Sequence, residues 1–188
     1  MRSTSVDRAA AVRAAVRKLV ADNGLAGASM AAVATEAGVA TGTTYVHYRS
    51  KDELLLAAYL ELKGQLGAAA IDGIDTAMPP HERFVVMWTA IYRFLAGASE
   101  RARFLVQVDS SPMAATAHQR ALAGGDDPLV GAASAPDMAS LLIALPLEVL
   151  YDLGIGPAVR LAASGPRLSD RQLHLVAEAC WRSITVPD

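Results

Sequence analysis

Gly42, Thr43, Val46 and His47 recur at four-residue intervals, so a short helix places them together on one side. That side is small and hydrogen-bonding, with a hydroxyl, an imidazole and no carboxylate. Donors of this kind suit phosphate oxygens and the edges of bases. The other chemistry-bearing residues do not assemble in the same way. His47, His81, His118 and His174 are scattered without metal-ligand spacing, no Gly-rich phosphate loop follows a strand, and Cys180 has no base near it in the chain. No catalytic residue, metal or cofactor is therefore assigned, and no enzyme is expected.

The elements that position this face are legible as three helices. Met30, Val33, Ala34 and Ala37 repeat at i, i+3, i+4 and i+7, with Ser29 as the cap. Gly38 then stands where a helix ends in a left-handed residue, and Val39 plugs the turn between two crossing helices. Thr41 is expected to cap the second helix, with Thr44, Tyr45 and Tyr48 turned inward. Ser50-Lys51-Asp52-Glu53 reads as a capping box that opens a third helix, whose stripe is Leu54, Leu55, Ala58 and Leu62. Ahead of the pair, Val12, Val16, Leu19 and Val20 make an amphipathic helix ending at Asn23-Gly24, with Arg13, Arg17 and Lys18 on its polar side. Two crossed helices closed by a third read as a helix-turn-helix DNA reader.

Composition points to an all-α chain with more than a DNA-binding module in it. The 188 residues are 53% hydrophobic and 19% charged, which implies apolar surface hidden against a second subunit or lining a pocket. Residues 1–63 carry eight Lys/Arg against six Asp/Glu, whereas the remainder carries nine against thirteen. The reading end is thus the positive one. A single cysteine, Cys180, suits a reducing cytoplasm and a packed thiol. The first residues lack the apolar core of a signal peptide, and the apolar run Met138 to Leu147 is interrupted by Pro146, so no membrane span is expected. Breakers at Met78-Pro-Pro80, Ser110-Ser-Pro112, Ala123 to Pro128 and Ala163-Ser-Gly-Pro166 divide further helices. The loop from Gly124 to Pro136 is the expected mobile segment. Met138 to Leu153 reads as one long apolar helix kinked near Pro146, and Ser169 to Gln172 as a second capping box.

Ser29, Val33-Ala34, Ala37-Gly38-Val39, Gly42-Thr43, Tyr45, Tyr48 and Ser50 to Leu54, taken in order, resemble the N-terminal pattern of the TetR family of bacterial regulators. The resemblance covers about the first third of the chain. It implies a three-helix helix-turn-helix DNA-binding domain over 1–50 and a helical effector-binding and dimerisation domain over 51–188. The implied function is a dimeric transcriptional regulator, a repressor of a palindromic double-stranded DNA operator, released by a small, largely apolar or aromatic effector. Transferred to this chain, the family's DNA contacts fall on Ser29, Thr41, Gly42, Thr43, Tyr45, His47 and Lys51. Of these, Gly42 and Thr43 are assigned to bases and the others to phosphates. The last two long helices are expected to pair with their copies in a homodimer. Candidate ligand contacts are Trp88, Tyr92, Phe104, Met113, Leu141, Glu148 and Tyr151. The rival reading is a dimeric helical module that binds a small molecule without regulating genes.

Overall fold

The computed structural model describes residues 5–123 and 127–186, and among these every regular element is a helix. The first, α1 (Ser5–Gly27), buries Val12, Val16 and Val20 and breaks at Gly24, where the expected end lies; a last turn continues to Gly27. Next come α2 (Met30–Glu36) and α3 (Thr41–His47). Met30, Val33 and Ala34 of α2 are buried as their spacing requires, and Gly38 takes φ 66° in the turn, a conformation open to glycine at little cost.

The start and the face of α3 differ from expectation. Ala40, extended and without a side-chain cap, precedes the helix, so Thr41 is its first residue rather than its cap. Only Thr44 of the α3 residues is fully buried; its hydroxyl donates to the Thr41 carbonyl at 2.7 Å and so satisfies itself locally. Tyr45 turns outward, 54% exposed, because a seven-residue helix has room for only one inward row, and Thr44 with Tyr48 fills it.

Ser50 caps α4 (Lys51–Ile71) by accepting from Glu53 N–H at 3.1 Å, while Glu53 reaches back to Arg49 N–H at 2.8 Å, one residue further than a capping box requires. By length and composition α4 is long and apolar enough to cross a membrane; half of its apolar window is buried within the protein, where it packs on α1 and on α5 (Pro80–Ala96). Then follow α6 (Ser99–Asp109), α7 (Ala114–Ala123), α8 (Pro128–Ser134) and α9 (Pro136–Ala139). Residues 124–126 of the expected mobile loop lie outside the described residues, and most of its remainder is α8.

Met138 to Leu153 is not one kinked helix. Pro146 lacks the N–H a helix interior needs, and the chain before it runs extended, with an isolated antiparallel bridge between Leu142 and Thr185. The helix restarts as α10 (Leu147–Gly154), turns at Ile155 and continues as α11 (Gly156–Ser164). The second capping box does form, opening α12 (Asp170–Ile184) with Ser169 and Gln172 bonded reciprocally. One continuous core joins both ends of the chain: α1 lies against α6, α6 against α11, and α5 against α4, α11 and α12.

Candidate functional site

Two surfaces have the ingredients of a site. The first is the outward side of α3 with the start of α2. Thr41, Gly42, Tyr45 and Val46 are exposed there, Val46 at 80%, and Thr43 and His47 are partly exposed. Ser29 is exposed as well, its hydroxyl oxygen accepting from Ala32 N–H at 3.1 Å and so capping α2. Lys51 differs from the rest: its ammonium donates to the carbonyl of Leu25, closing the corner between α1 and α2.

Most cations of this head already serve the fold. Arg13 donates to Tyr48 Oη at 2.7 Å and to Glu61 Oε1 at 2.6 Å, Arg17 donates to the other Glu61 oxygen, and Lys18 pairs with Glu36. Burial pushes the Glu61 carboxyl up, but the two guanidinium partners outweigh it and hold the group below its ordinary range. Arg13 is correspondingly raised, chiefly by Glu61. Arg49, just after α3, is exposed and among the described residues has no side-chain partner. The sequence reading passed over it, although an arginine between the reading helix and the next cap is a visible signal.

The second surface is a partly open cavity of about 540 Å³ lined by residues of α4, α5, α7, α8 and α10, a size ordinary for a small-molecule site. Its lining is mainly apolar, with Tyr59 and Lys63 of α4 and Tyr151 of α10 among its polar members. Gly67 lets α8 approach α4: a Cβ there would lie 2.7 Å from Cδ of Pro128. His118 Nε2 lies 2.9 Å from Asp109 Oδ1, and Tyr59 Oη donates to the same oxygen at 3.3 Å. Burial raises both the Tyr59 and Tyr151 hydroxyls well above the usual phenol range, so both remain protonated donors.

Of the expected ligand contacts, Glu148 and Tyr151 line this cavity, and Trp88, Tyr92, Phe104, Met113 and Leu141 do not. Trp88 is fully buried, donating from Nε1 to the Gly154 carbonyl at 3.0 Å and stacking on Tyr92. Phe104 is core where α6 meets its neighbours. Met113 packs on the core from the turn before α7. Leu141 ends the turn that leads into the extended segment, its carbonyl accepting from Val186 N–H. Glu148 is exposed rather than buried, so it needs no internal partner. Lys63 went unremarked although its spacing from Tyr59 and Gly67 puts it on a buried row of α4.

Comparison with known proteins gives both halves of the chain a counterpart. Residues 12–58 match the family model described as bacterial regulatory proteins, tetR family, and residues 79–185 match the tetracyclin repressor-like C-terminal domain. Over 188 aligned residues the chain is 29% identical to an HTH-type transcriptional regulator of Haemophilus influenzae, covering 98% of this chain and 99% of that protein. The crystal structure of a TetR-family regulator from Haemophilus influenzae, 29% identical, superposes with a TM-score of 0.78 over 98% of this chain and 100% of that one. The regulator FadR from Bacillus subtilis, crystallised in complex with stearoyl-CoA, shares the fold at 18% identity, with a TM-score of 0.68 over 92% and 95% of the two chains.

Proposed function

Since the chain belongs to the TetR family of bacterial transcriptional regulators, we propose that it works as a cytoplasmic homodimeric repressor. Its two heads grip a palindromic operator and let go when a small, largely apolar effector occupies the cavity. Its relatives are transcriptional regulators rather than enzymes. The observation that carries the reading is the outward side of α3, where hydroxyls, an imidazole and an uncovered Tyr45 are left unused by the protein's own core. Thr43 and the bare backbone at Gly42 meet base edges. Ser29, Thr41, Tyr45, His47 and Lys51, joined by Arg49, hold phosphates and set the register.

A homodimer is supported by two observations. A single seven-residue reading helix spans too few bases to be selective, and two-fold symmetry doubles the site. The outer side of α12 leaves Leu175 57% exposed and neighbouring α10 leaves Leu153 40% exposed, an apolar strip that a second copy would cover. Trp181 of the same helix packs on His81 and Phe84 within the subunit. Helix α4 supports the coupling, because Glu61 holds α1 while Tyr59 and Lys63 of the same helix face the cavity. An effector acts by binding one arrangement of α4 better than the other. The acyl ligand of the Bacillus subtilis regulator is in keeping with an apolar effector.

The test is selection of duplexes from a random pool by the whole protein at low salt. Enrichment of a palindrome whose half-sites lie about 34–36 Å apart is expected. Retention of no duplex, with small-molecule binding intact, would instead favour a binding module that regulates nothing.

A further inference from the structure

Lys63 is a cavity-lining cation with no ion-pair partner among the described residues. Its ammonium lines the cavity and stands 4.8 Å from the centre of the Tyr151 ring, close enough for a cation–π contact. Among the described residues no carboxylate lies within ion-pair distance of it. The two nearest acids are engaged elsewhere: Asp109 with His118 and Tyr59, and Asp127 with Leu129 N–H at 2.9 Å. Burial accordingly pulls Lys63 below the usual lysine range, with Asp127 and Asp109 offsetting only part of the shift. A desolvated cation without a counter-ion is costly, and an incoming anion removes the cost.

We propose that the effector is a single-headed amphiphilic carboxylate whose head pairs with Lys63 in front of Tyr151 and whose hydrocarbon tail fills the apolar remainder of the cavity. The head is a monoanion for an electrostatic reason. Asp127, Glu148 and Asp152 also line the cavity, and its other fixed cation, Arg83, is already paired with Asp137, so a phosphate or other polyanion meets more repulsion than the Lys63 ammonium offsets. The tail follows from the lining, where Phe84, Met87, Leu129, Leu142 and Leu150 leave hydrogen-bonding partners few. The proposal names the ligand class for the effector reading above and rests on that reading only for its link to DNA.

The test measures binding of dodecanoate, dodecanol and dodecyltrimethylammonium to the full chain by calorimetry, alongside Lys63→Met. The expected result is a preference for dodecanoate that Lys63→Met reduces by about 10- to 100-fold, with dodecanol affinity unchanged by the substitution. Equal binding of dodecanol or tighter binding of the ammonium to the wild type overturns the proposal. So does a dodecanoate preference that survives Lys63→Met. Lys63→Arg, which keeps the charge, retains the preference if the role is ionic. Because calorimetry needs no operator, a chain that binds dodecanoate but no duplex sinks the regulatory reading alone. A chain that binds duplex but ignores all three amphiphiles sinks this one alone.

Discussion

The reading head and the cavity treat their cations in opposite ways. In the head, Arg13, Arg17, Lys18 and Lys51 each have an acceptor in the protein itself, so the surface offered to a partner is made mainly of hydroxyls, rings and exposed backbone, with Arg49 as its unpartnered cation among the described residues. In the cavity, Lys63 faces an aromatic ring and no acid at ion-pair distance among the described residues. A charge with an internal partner is partly committed to the structure; one without is open to a ligand. The number of basic residues in a region is therefore a weaker guide to function than their bonding.

Four substitutions test this contrast, ordered by their expected effect on folding. Trp88→Ala should be the most damaging, costing about 3–5 kcal/mol in urea unfolding, because it empties the core and orphans the Gly154 carbonyl. A mild cost would return Trp88 to the list of ligand contacts. Gly67→Ala forces α8 away from α4 and should cost about 1–3 kcal/mol. It should also change dodecanoate affinity in calorimetry while leaving operator affinity of the unliganded protein intact.

Glu61→Gln takes the shared acid from Arg13 and Arg17 at a partly exposed site, for an expected loss of about 1 kcal/mol at neutral pH. The sign of its pH dependence follows from the depressed carboxyl. The stabilisation is present above the unfolded value of about 4.3 and disappears as pH falls through the lower folded value. The variant should thus lose less stability than the wild type on acidification, and parallel acid limbs would refute the assignment. Thr43→Ala should leave unfolding within about 0.5 kcal/mol yet alter the ranking of duplexes in the selection, at about 1–3 kcal/mol for the affected base. A uniform weakening would move Thr43 from bases to phosphates.

The head was legible in the sequence because its structure is local. Caps, a left-handed glycine and rows at i+3 and i+4 are settled within a few residues, and Ser29, Val33, Gly38 and Ser50 do what their spacing implies. It failed at Tyr45, where two inward candidates compete and only packing decides. The cavity was far less legible, since its walls come from helices separated by up to a hundred residues. A stripe such as Trp88 and Tyr92 looks the same whether it faces a void or a neighbouring helix. The long helix expected over Met138 to Leu153 failed where apolar content masked a proline that ends helical hydrogen bonding.

Arg13 joins three helical segments through one flat group. Its two terminal nitrogens reach Tyr48, at the exit of α3, and Glu61, in the middle of α4, and its inner Nε is buried without a partner. Guanidinium geometry is fixed, so the two grips cannot be adjusted separately. The exit of α3 is in this way tied to the middle of α4 within a single subunit.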